Sequence, residues 1–561
     1  MRTMRPVALA VAALGLWPAV SLAAPAREPG AKGSTTGRLL VITKRQGSAL
    51  TPARAAAAGA RPGRRSVPQI GMTTVRPAPG VRPALLARRL RRLTGVQHVE
   101  AERRYAPRLL PDDPALTAPE RAPGTPAGTV VQWWVARHGL PAAWDLQDGT
   151  GATVAIIDTG ADATHPELAD RIAAAVDEDE TTGHGPATTD EAGHGTHVAS
   201  IACAQADNAT GLTGAGLNCS LLIVKSDLSS GSVASSIVAA TDRGADAINM
   251  SFGADGAQAP SQAVVDAVNY AYDHGVVLVA AAADQPVEEQ GDPANVLQPT
   301  GSGSHLDAGK GLTVTAATFD DQRASFAGRG SQISLAAYGA FGPRGGPRGL
   351  FGAFPATATE LEQGGSGPSA GGCGCRTTFA GDSRYAYVQG TSMAAPIVAA
   401  TGALVRRLNP DLPVREVLRL LKETARRPGG PQGAWEPELG WGILDAGAAL
   451  KRAAQLDRTP PRSRASGPGR TRRRTVTLRW TGADPAPPHV RSAGVAAYEL
   501  LRSIDGRPTR RIAATRRHSS VVRVVAGHRY AFSTVAVDAD ANRERRPARP
   551  DVRITALSPP R

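Results

Sequence analysis

The chain has 561 residues and a formal net charge of +15, so it is longer than one typical domain and two or three folded units are expected. The charge alternates: residues 24–110 carry +15, residues 111–457 carry −18 and residues 458–561 carry +16. No nucleic-acid motif accompanies the basic ends, which argues against a nucleic-acid partner and favours basic segments that lie on the acidic middle.

Residues 1–23 have the layout of a secretory signal peptide. A charged Met-Arg-Thr-Met-Arg start precedes an apolar stretch that ends in small residues. This stretch is short and contains Pro18, which favours cleavage over a membrane anchor, and no later stretch is long enough to span a membrane. We therefore expect a secreted, extracellular protein with no membrane span.

Short apolar runs alternate with helix-period stretches between about residues 128 and 455. This pattern predicts an α/β fold with a mainly parallel, doubly wound sheet, because strands that are buried on both faces are apolar throughout. The predicted strands are residues 153–157, 221–224, 247–250, 276–282 and 312–316. A helix is predicted over residues 263–274, ending at Gly275.

Asp158 directly follows the first of these runs, in the order Asp-Thr-Gly. Open α/β sheets bind ligands at the carboxyl ends of their strands, so this carboxylate is a candidate for an active site. The alternative is an ordinary aspartate in a turn.

A second motif reads His194-Gly-Thr-His197-Val-Ala-Ser and opens a predicted helix. The glycine after His194 permits close approach of another backbone, and His194 can point into a cleft. Two histidines three residues apart could bind a metal, but no acidic third ligand follows at a familiar offset. His197 is therefore predicted to be structural.

The four cysteines predict disulfides in a secreted chain. Cys203 and Cys219 are close in sequence and are the favoured pair. Cys373 and Cys375 are either bonded to each other or two thiols. A metal site at these cysteines is disfavoured, because there is no nearby histidine and no paired C-x-x-C motif.

A third motif reads Gly-Thr-Ser392-Met-Ala-Ala-Pro396 and runs into an apolar helix. A serine in the first turn of a helix has unpaired backbone N–H groups beside it, and these suit a developing oxyanion. Pro396 is tolerated because the first turn has no hydrogen bond to lose. The alternative is an N-cap serine.

The three motifs together resemble those of the subtilisin-like serine peptidases. The matching stretches are VAIIDTGADATHPEL from Val154, HGTHVAS from His194, INMSFG from Ile248, residues 276–282 and GTSMAAP from Gly390. The resemblance implies that Ser392 is the nucleophile, that His194 transfers its proton and that Asp158 orients the imidazole. It implies peptide-bond hydrolysis through an acyl-enzyme, protein or peptide substrates, and no cofactor in the chemistry.

The sequence departs from the family at the oxyanion site. The family places Asn after the strand at 276–282, whereas this chain has Ala283-Asp284. An ionised Asp284 would repel an oxyanion, and a protonated one could donate to it. Ser251, Gly253, Ala254 and Ala283 are expected to form the walls of the specificity pocket, with Ala283 narrowing it.

Residues 206–212 resemble the calcium-binding loop of the family. The resemblance implies Asn208, the carbonyls of Ala206, Thr210 and Leu212, and the carboxylate of Glu167 as ligands. Because a Glu replaces the usual shorter Asp, a solvated loop without metal is the alternative to a structural calcium.

The remaining segments complete the predicted organisation. Residues 24–110 resemble a prosegment that assists folding and inhibits the enzyme, and the catalytic domain spans 111–457. Residues 339–374 are predicted to be a long surface loop and residues 458–474 a linker. Residues 475–556 show the alternation of a small β-sandwich and resemble a fibronectin type III module, whose ligand the fold does not reveal.

Two other functions remain open at this point. Asp284 and the appended sandwich would suit a weakened, subtilisin-fold protein that acts in binding or adhesion. A transpeptidase would share the acyl-enzyme and differ only in its acceptor.

Overall fold

The computed structural model of the protein describes residues 35–43, 50–103, 110–343, 345–364 and 372–558. The signal segment predicted at residues 1–23 lies outside the described residues. The chain divides into two compact units, Met1–Pro107 and Arg108–Arg561. The first unit ends close to the predicted end of the prosegment at residue 110.

The first unit is a small α+β structure, as predicted. An antiparallel sheet with strand order β2-β3-β1-β4 packs against two helices through a core that includes Val41, Val75, Leu86 and Leu90. Its elements are β1 (Thr35–Thr43), α1 (Pro52–Ala57), β2 (Ala60–Val67), β3 (Met72–Pro77), α2 (Pro83–Arg91) and β4 (Val96–Arg103).

The second unit is built around a seven-stranded parallel sheet, with strand order β11-β10-β9-β8-β5-β7-β6. Its elements to the end of this sheet are α3 (Trp133–Arg137), α4 (Leu140–Trp144), β5 (Thr153–Asp158), β6 (Ile172–Glu178), α5 (His194–Cys203), β7 (Ser220–Ser226), α6 (Ser230–Asp242), β8 (Ala247–Met250), α7 (Gln262–Asp273), β9 (Val277–Ala281), α8 (Ala294–Leu297), β10 (Leu312–Ala317) and β11 (Leu335–Tyr338). All five predicted strands and the predicted helix are therefore present.

Helices cover both faces of this sheet. Successive side chains of a strand point to opposite faces, and here the side chains on both faces are apolar and need to be buried. In β5, Val154 and Ile156 join the core that contains α5, whereas Ala155 and Ile157 join the core that contains α6 and α7. The doubly wound arrangement that the apolar runs predicted is confirmed.

The segment 339–374 differs from the predicted surface loop. It contains β12 (Leu350–Ala353), which is buried throughout, and α9 (Glu360–Gln363). β12 belongs to a three-stranded antiparallel sheet with β13 (Arg376–Phe379) and β14 (Asp382–Val388). A four-residue strand between glycine-rich flanks is too short for a visible period, which is why the prediction was wrong.

Three helices complete the catalytic region: α10 (Thr391–Leu408), α11 (Val414–Glu423) and α12 (Ala446–Ala453). Helix α10 is buried along most of its length and packs against α5 and the central strands. None of the described helices is both long and apolar enough to cross a membrane.

The C-terminal region is a sandwich of a three-stranded sheet, β15-β17-β20, and a five-stranded sheet, β16-β22-β21-β18-β19, around one core. Its strands are β15 (Arg462–Ser466), β16 (Arg470–Thr471), β17 (Thr475–Ala483), β18 (Val495–Ile504), β19 (Arg510–Thr515), β20 (Ser519–Arg523), β21 (Arg529–Asp538) and β22 (Val552–Ala556).

The segment 458–474 is therefore not the linker that was predicted, because it contributes β15 and β16 to the sandwich. In β15 only Ala465 is buried, so its polar sequence hides the alternation that marks a strand.

The sandwich is joined directly to the catalytic region at Asp457. This fully buried carboxylate accepts hydrogen bonds from the backbone N–H groups of Thr459 at 3.0 Å and Ala493 at 2.7 Å. The carbonyl oxygen of Asp457 accepts a further bond from the Asn542 side chain at 3.0 Å. Two of the hydrogen-bond donors to the buried Asp457, Ala493 and Asn542, thus come from the sandwich.

Candidate active site

The predicted pair Asp158 and His194 is hydrogen-bonded. Asp158 ends β5, is 2 % exposed, and its Oδ1 lies 2.7 Å from His194 Nδ1. His194 begins α5. Burial lowers the pKa of His194, but the charge of Asp158 and its hydrogen bond outweigh burial and raise that pKa above its ordinary value, and Asp190 and Asp284 add to this. The pair is thus arranged to stabilise an imidazolium.

The glycine after His194 is required by this arrangement. A Cβ on Gly195 would lie 2.1 Å from the carbonyl oxygen of Gly160 and 3.2 Å from the Asp158 side chain. The start of α5 can therefore approach the end of β5 only without a side chain at this position, as the sequence predicted.

A second buried carboxylate, Asp190, connects the two halves of the pair. Its Oδ1 accepts from the Thr159 hydroxyl at 2.7 Å and the Gly193 N–H at 2.8 Å, and its Oδ2 accepts from the N–H and hydroxyl of Thr196, both at 2.7 Å. Burial raises the pKa of Asp190 to about 6, although its hydrogen bonds act in the opposite direction. Gly193 and Thr196 flank His194, and Thr159 follows Asp158.

Asp190 belongs to none of the three sequence motifs. Its only signal is an acidic residue just ahead of the N-cap of a predicted helix, where such residues are common. The long-range bond to Thr159 has no signature in the sequence.

Ser392 lies in the first turn of α10 and is 8 % exposed. Its Oγ donates to the carbonyl oxygen of Ser251 at 2.9 Å, and the Ser251 hydroxyl donates back to the carbonyl oxygen of Ser392 at 2.7 Å. Asn249 donates to the Ser251 hydroxyl at 2.9 Å. The end of β8 therefore positions the serine through two reciprocal bonds.

Asp284 contacts the residue before Ser392. Its Oδ1 accepts from the N–H of Thr391 at 2.8 Å and lies 2.9 Å from the Thr391 hydroxyl, whose single proton has a closer acceptor in the carbonyl oxygen of Ala282 at 2.5 Å. Desolvation by the surrounding protein raises the pKa of Asp284 above its ordinary value, although the Thr391 bonds and the charge of His194 act in the opposite direction. More than a third of the residue is still exposed to solvent. The bond from the Thr391 N–H uses Oδ1, which leaves Oδ2 to face other groups.

A family model for the subtilase family matches residues 149–442, more than half of the chain. Thermitase of Thermoactinomyces vulgaris is 31% identical over 291 residues, which cover 50% of this chain and 85% of thermitase. Subtilisin Savinase of Lederbergia lenta is 30% identical over 327 residues, or 57% and 99% of the two chains. The solved structure of a Pseudoalteromonas arctica protease is 26% identical, has a TM-score of 0.47, and covers 62% of this chain and 100% of that chain.

The chain belongs to the subtilase family. It is accordingly a serine-type endopeptidase, and proteins are its substrates.

The residues predicted to form the pocket walls of this subtilase lie just after the ends of two neighbouring strands. Ser251, Gly253 and Ala254 follow β8, and Ala283 follows β9, which pairs with β8. The backbone of Ala254 is bonded to residues 291 and 292, and the N–H of Ala283 donates to Gln290 Oε1 at 2.9 Å. Ala254 and Ala283 are thus fixed through their backbones, and their side chains are small.

The loop of this subtilase at residues 206–212 lies against Glu167, which is fully buried. Glu167 Oε2 accepts from Asn208 Nδ2 at 3.3 Å, and Oε1 accepts from the Tyr385 hydroxyl at 3.0 Å and the Thr210 hydroxyl at 3.3 Å. Burial raises the pKa of Glu167 to about 7.

A further carboxylate, Asp113, reaches this loop from the start of the second unit. It is 1 % exposed, its Oδ2 accepts from the Asp207 N–H at 3.2 Å, and its Oδ1 has no hydrogen-bond partner among the described residues. Burial raises the pKa of Asp113 to about 6. Glu167 and Asp113 are thus two buried carboxylates, and Oδ1 of Asp113 is unpaired among the described residues. This set of oxygen donors fits calcium. No local pattern marks Asp113, which is 94 residues from Asp207 in the chain.

The other predicted residues have structural roles. His197 is fully buried, with Nε2 3.1 Å from the Leu350 carbonyl oxygen and 3.2 Å from that of Ala386. Burial lowers the pKa of His197 to about 4. Cys203 is bonded to Cys219, as favoured, and Cys373 is bonded to Cys375.

Proposed function

We propose that this subtilase hydrolyses peptide bonds through an acyl-enzyme on Ser392, with His194 as general base and acid. The observation that carries the proposal is the 2.7 Å bond between His194 Nδ1 and the buried Asp158, on a helix that packs against the helix of Ser392. This bond fixes the tautomer that leaves His194 Nε2 free to accept a proton.

In the proposed attack the Ser392 hydroxyl leaves the Ser251 carbonyl and donates to His194 Nε2. The serine oxygen forms a bond to the substrate carbonyl carbon, and Asp158 stabilises the resulting imidazolium. His194 then returns the proton to the leaving amine. Water repeats the sequence on the acyl-enzyme and releases the acid.

Two donors would stabilise the oxyanion in this mechanism. The first is the backbone N–H of Ser392, which is unpaired within α10 because it lies in the first turn. The second is Asp284, provided that Oδ2 carries a proton, since Oδ1 already accepts the backbone N–H of Thr391. Ser251, Gly253, Ala254 and Ala283 would line the adjacent pocket for a substrate side chain.

We also propose that the enzyme is secreted as a precursor. The signal-like residues 1–23 and the four paired cysteines support secretion. The basic residues 24–110 oppose the charge of residues 111–457 and would assist folding and inhibit the active site. Glu167, Asp113 and Asn208 would hold a structural calcium, which takes no part in the chemistry.

Purified precursor and its Ser392→Ala variant test this function. The wild type should lose its prosegment and then cleave casein, whereas Ser392→Ala should remain full-length and inactive. Ser235→Ala, a serine of α6 that bonds to Glu178, is the matched control and should behave as the wild type. If Ser392→Ala matures and cleaves casein as fast as the control, Ser392 is not the nucleophile. If the wild type neither labels with a serine-directed probe nor cleaves casein, the binding protein is favoured. If it labels and joins an added amine to the acyl group in place of water, the transpeptidase is favoured.

A further inference from the structure

The C-terminal sandwich carries a groove on the outer face of its five-stranded sheet. Across its floor, Ser503 of β18 pairs with Ala531 of β21, which pairs with Arg553 of β22. Residues 505–509 and 546–550 form the walls, and the groove has a volume of about 1020 Å³. The floor is open because its central side chains are small.

The groove has a strong excess of positive charge. Four exposed arginines line it: Arg507, Arg529, Arg546 and Arg553. The carboxylate along the groove, Asp505, is already bonded to His528 Nδ1 at 2.5 Å and to the N–H of Arg529 at 2.8 Å.

The four guanidinium groups differ from other arginines of the same sheet. Arg511 and Arg543 both pair with Glu499. Within the described residues, by contrast, none of the four groove arginines forms a close ion pair, although the charge of Arg507 does attract that of Asp505. Like charges around one cavity repel each other, so an anion that entered it would relieve this repulsion as well as gain hydrogen bonds.

We propose that this groove binds an anionic polysaccharide that carries sulfate or carboxylate groups. Guanidinium groups bind such oxyanions with two parallel hydrogen bonds. The hydroxyls of Ser533 and Thr555, which line the floor, would bond to sugar hydroxyls, whereas the Ser503 hydroxyl already donates to the carbonyl oxygen of Arg507 at 2.5 Å and could only accept. The volume is at the upper end of the range for small-molecule sites, about 300–1,000 Å³, so several sugar units fit.

Features of the floor disfavour two other polyanions. An extended peptide binds a sheet by adding a strand at an open edge, but the centre of this floor is β21, which is paired with β18 on one side and β22 on the other. Single-stranded nucleic acid needs exposed aromatic platforms for its bases. The aromatic residue along the groove, Tyr530, is only 4 % exposed and belongs to the core.

The experiment measures binding of a fluorescent heparin octasaccharide to the full chain, with Ser392→Ala as the background to prevent self-cleavage. The groove variant replaces Arg507, Arg529, Arg546 and Arg553 with Gln. The control variant replaces four exposed arginines of the three-stranded sheet with Gln, which changes the net charge equally: Arg462, Arg464, Arg479 and Arg523. Two of these, Arg464 and Arg479, line a smaller groove of about 540 Å³, which makes the control stringent.

We expect the groove variant to raise Kd at least about tenfold and the control variant less than about threefold, since each tenfold step is about 1.4 kcal/mol. The slope of log Kd against log salt should fall by about three in the groove variant alone, because roughly 0.7–0.9 counterions are released per contact in charged polymers. All eight arginines are exposed, so both variants should keep the parent Tm.

Equal losses in the two variants would overturn the proposal, because net charge would then explain binding. Tighter binding of an oligoglutamate or an oligothymidylate of equal charge would also overturn it, in favour of a peptide or a nucleic acid. If the groove variant has a lower Tm than its parent, Arg507→Gln and Arg553→Gln are measured singly, and an unchanged Kd for both overturns the proposal.

Discussion

Asp190 accepts a hydrogen bond of 2.7 Å from the hydroxyl of Thr159, the residue that follows Asp158. The same carboxylate holds Gly193 and Thr196 on either side of His194. Asp190 therefore fixes both partners of the proposed catalytic pair, Asp158 and His194, and we expect it to act as a positioning residue.

Asp190→Asn should lower kcat about 10- to 100-fold with KM nearly unchanged, because a lost bond to a buried charged group costs roughly 1.5–3 kcal/mol. Asp190 also helps to raise the pKa of His194, so the acid limb of kcat/KM should move to lower pH. The measurement is kcat and KM against pH, with the exposed Asp170→Asn as the control. A lower Tm with an unmoved pH profile would mean that Asp190 has only a structural role.

Asp284→Asn should increase kcat/KM most at alkaline pH. In the wild type, the proposed donor Oδ2 is protonated only below the pKa of Asp284, which is raised from its usual value. As pH rises through that pKa, the wild type loses a donor and gains a repelling charge, whereas the side-chain amide of the variant keeps its N–H. The ratio of the variant to the wild type should therefore rise with pH, by up to about 10²- to 10³-fold, the value of one oxyanion donor.

The measurement for Asp284 is kcat/KM against pH on one peptide for both proteins. A ratio that stays constant from acid to alkaline pH would mean that Asp284 does not face the oxyanion. A water molecule or another residue would then be the second donor.

Calcium should stabilise the enzyme through Glu167 and Asp113. At a calcium concentration of 100 times Kd, the stabilisation should be about 2.7 kcal/mol, seen as a rise in Tm that a chelator reverses. Glu167→Gln and Asp113→Asn should abolish this calcium-dependent rise, whereas Asp266→Asn on the exposed face of α7 should retain it. A rise of equal size in all four proteins would place the cation elsewhere.

Removal of residues 458–561 should leave turnover of short peptides within about tenfold, or 1.4 kcal/mol, because all catalytic elements precede residue 456. It should nevertheless lower Tm, since the buried Asp457 loses the N–H groups of Thr459 and Ala493 and the contact with Asn542. Asp457→Ala in the full chain should reproduce part of that loss. An unchanged Tm in the truncated enzyme would mean that the sandwich is an independent module.

The central sheet was predictable from sequence because its strands are buried on both faces. Runs such as 153–157 and 247–250 are apolar at nearly every position, and the chemistry follows directly after them at Asp158 and Ser251. The starts of helices α5 and α10 were also predictable, because they coincide with the motifs that contain His194 and Ser392. The first turn of a helix exposes unpaired backbone N–H groups, and both motifs lie in such a turn.

Other elements depend on contacts that are distant in the chain. β15 is a strand because it pairs with β17, not because of its own polar sequence. Asp113 is brought to residues 206–212 by the fold, and the bond between Asp190 and Thr159 joins positions 31 residues apart. A local sequence pattern cannot encode these long-range contacts. Neither Asp190 nor Asp113 could therefore be predicted from the sequence as part of a site.

The proposed role of Ser392 is tested most directly by covalent labelling of the mature enzyme with a tagged fluorophosphonate, followed by mass-spectrometric mapping of the modified residue. We expect a single label on Ser392, greatly slowed labelling in His194→Ala, and no label in Ser392→Ala. No labelling of the wild type, or an equal label in Ser392→Ala, would contradict it.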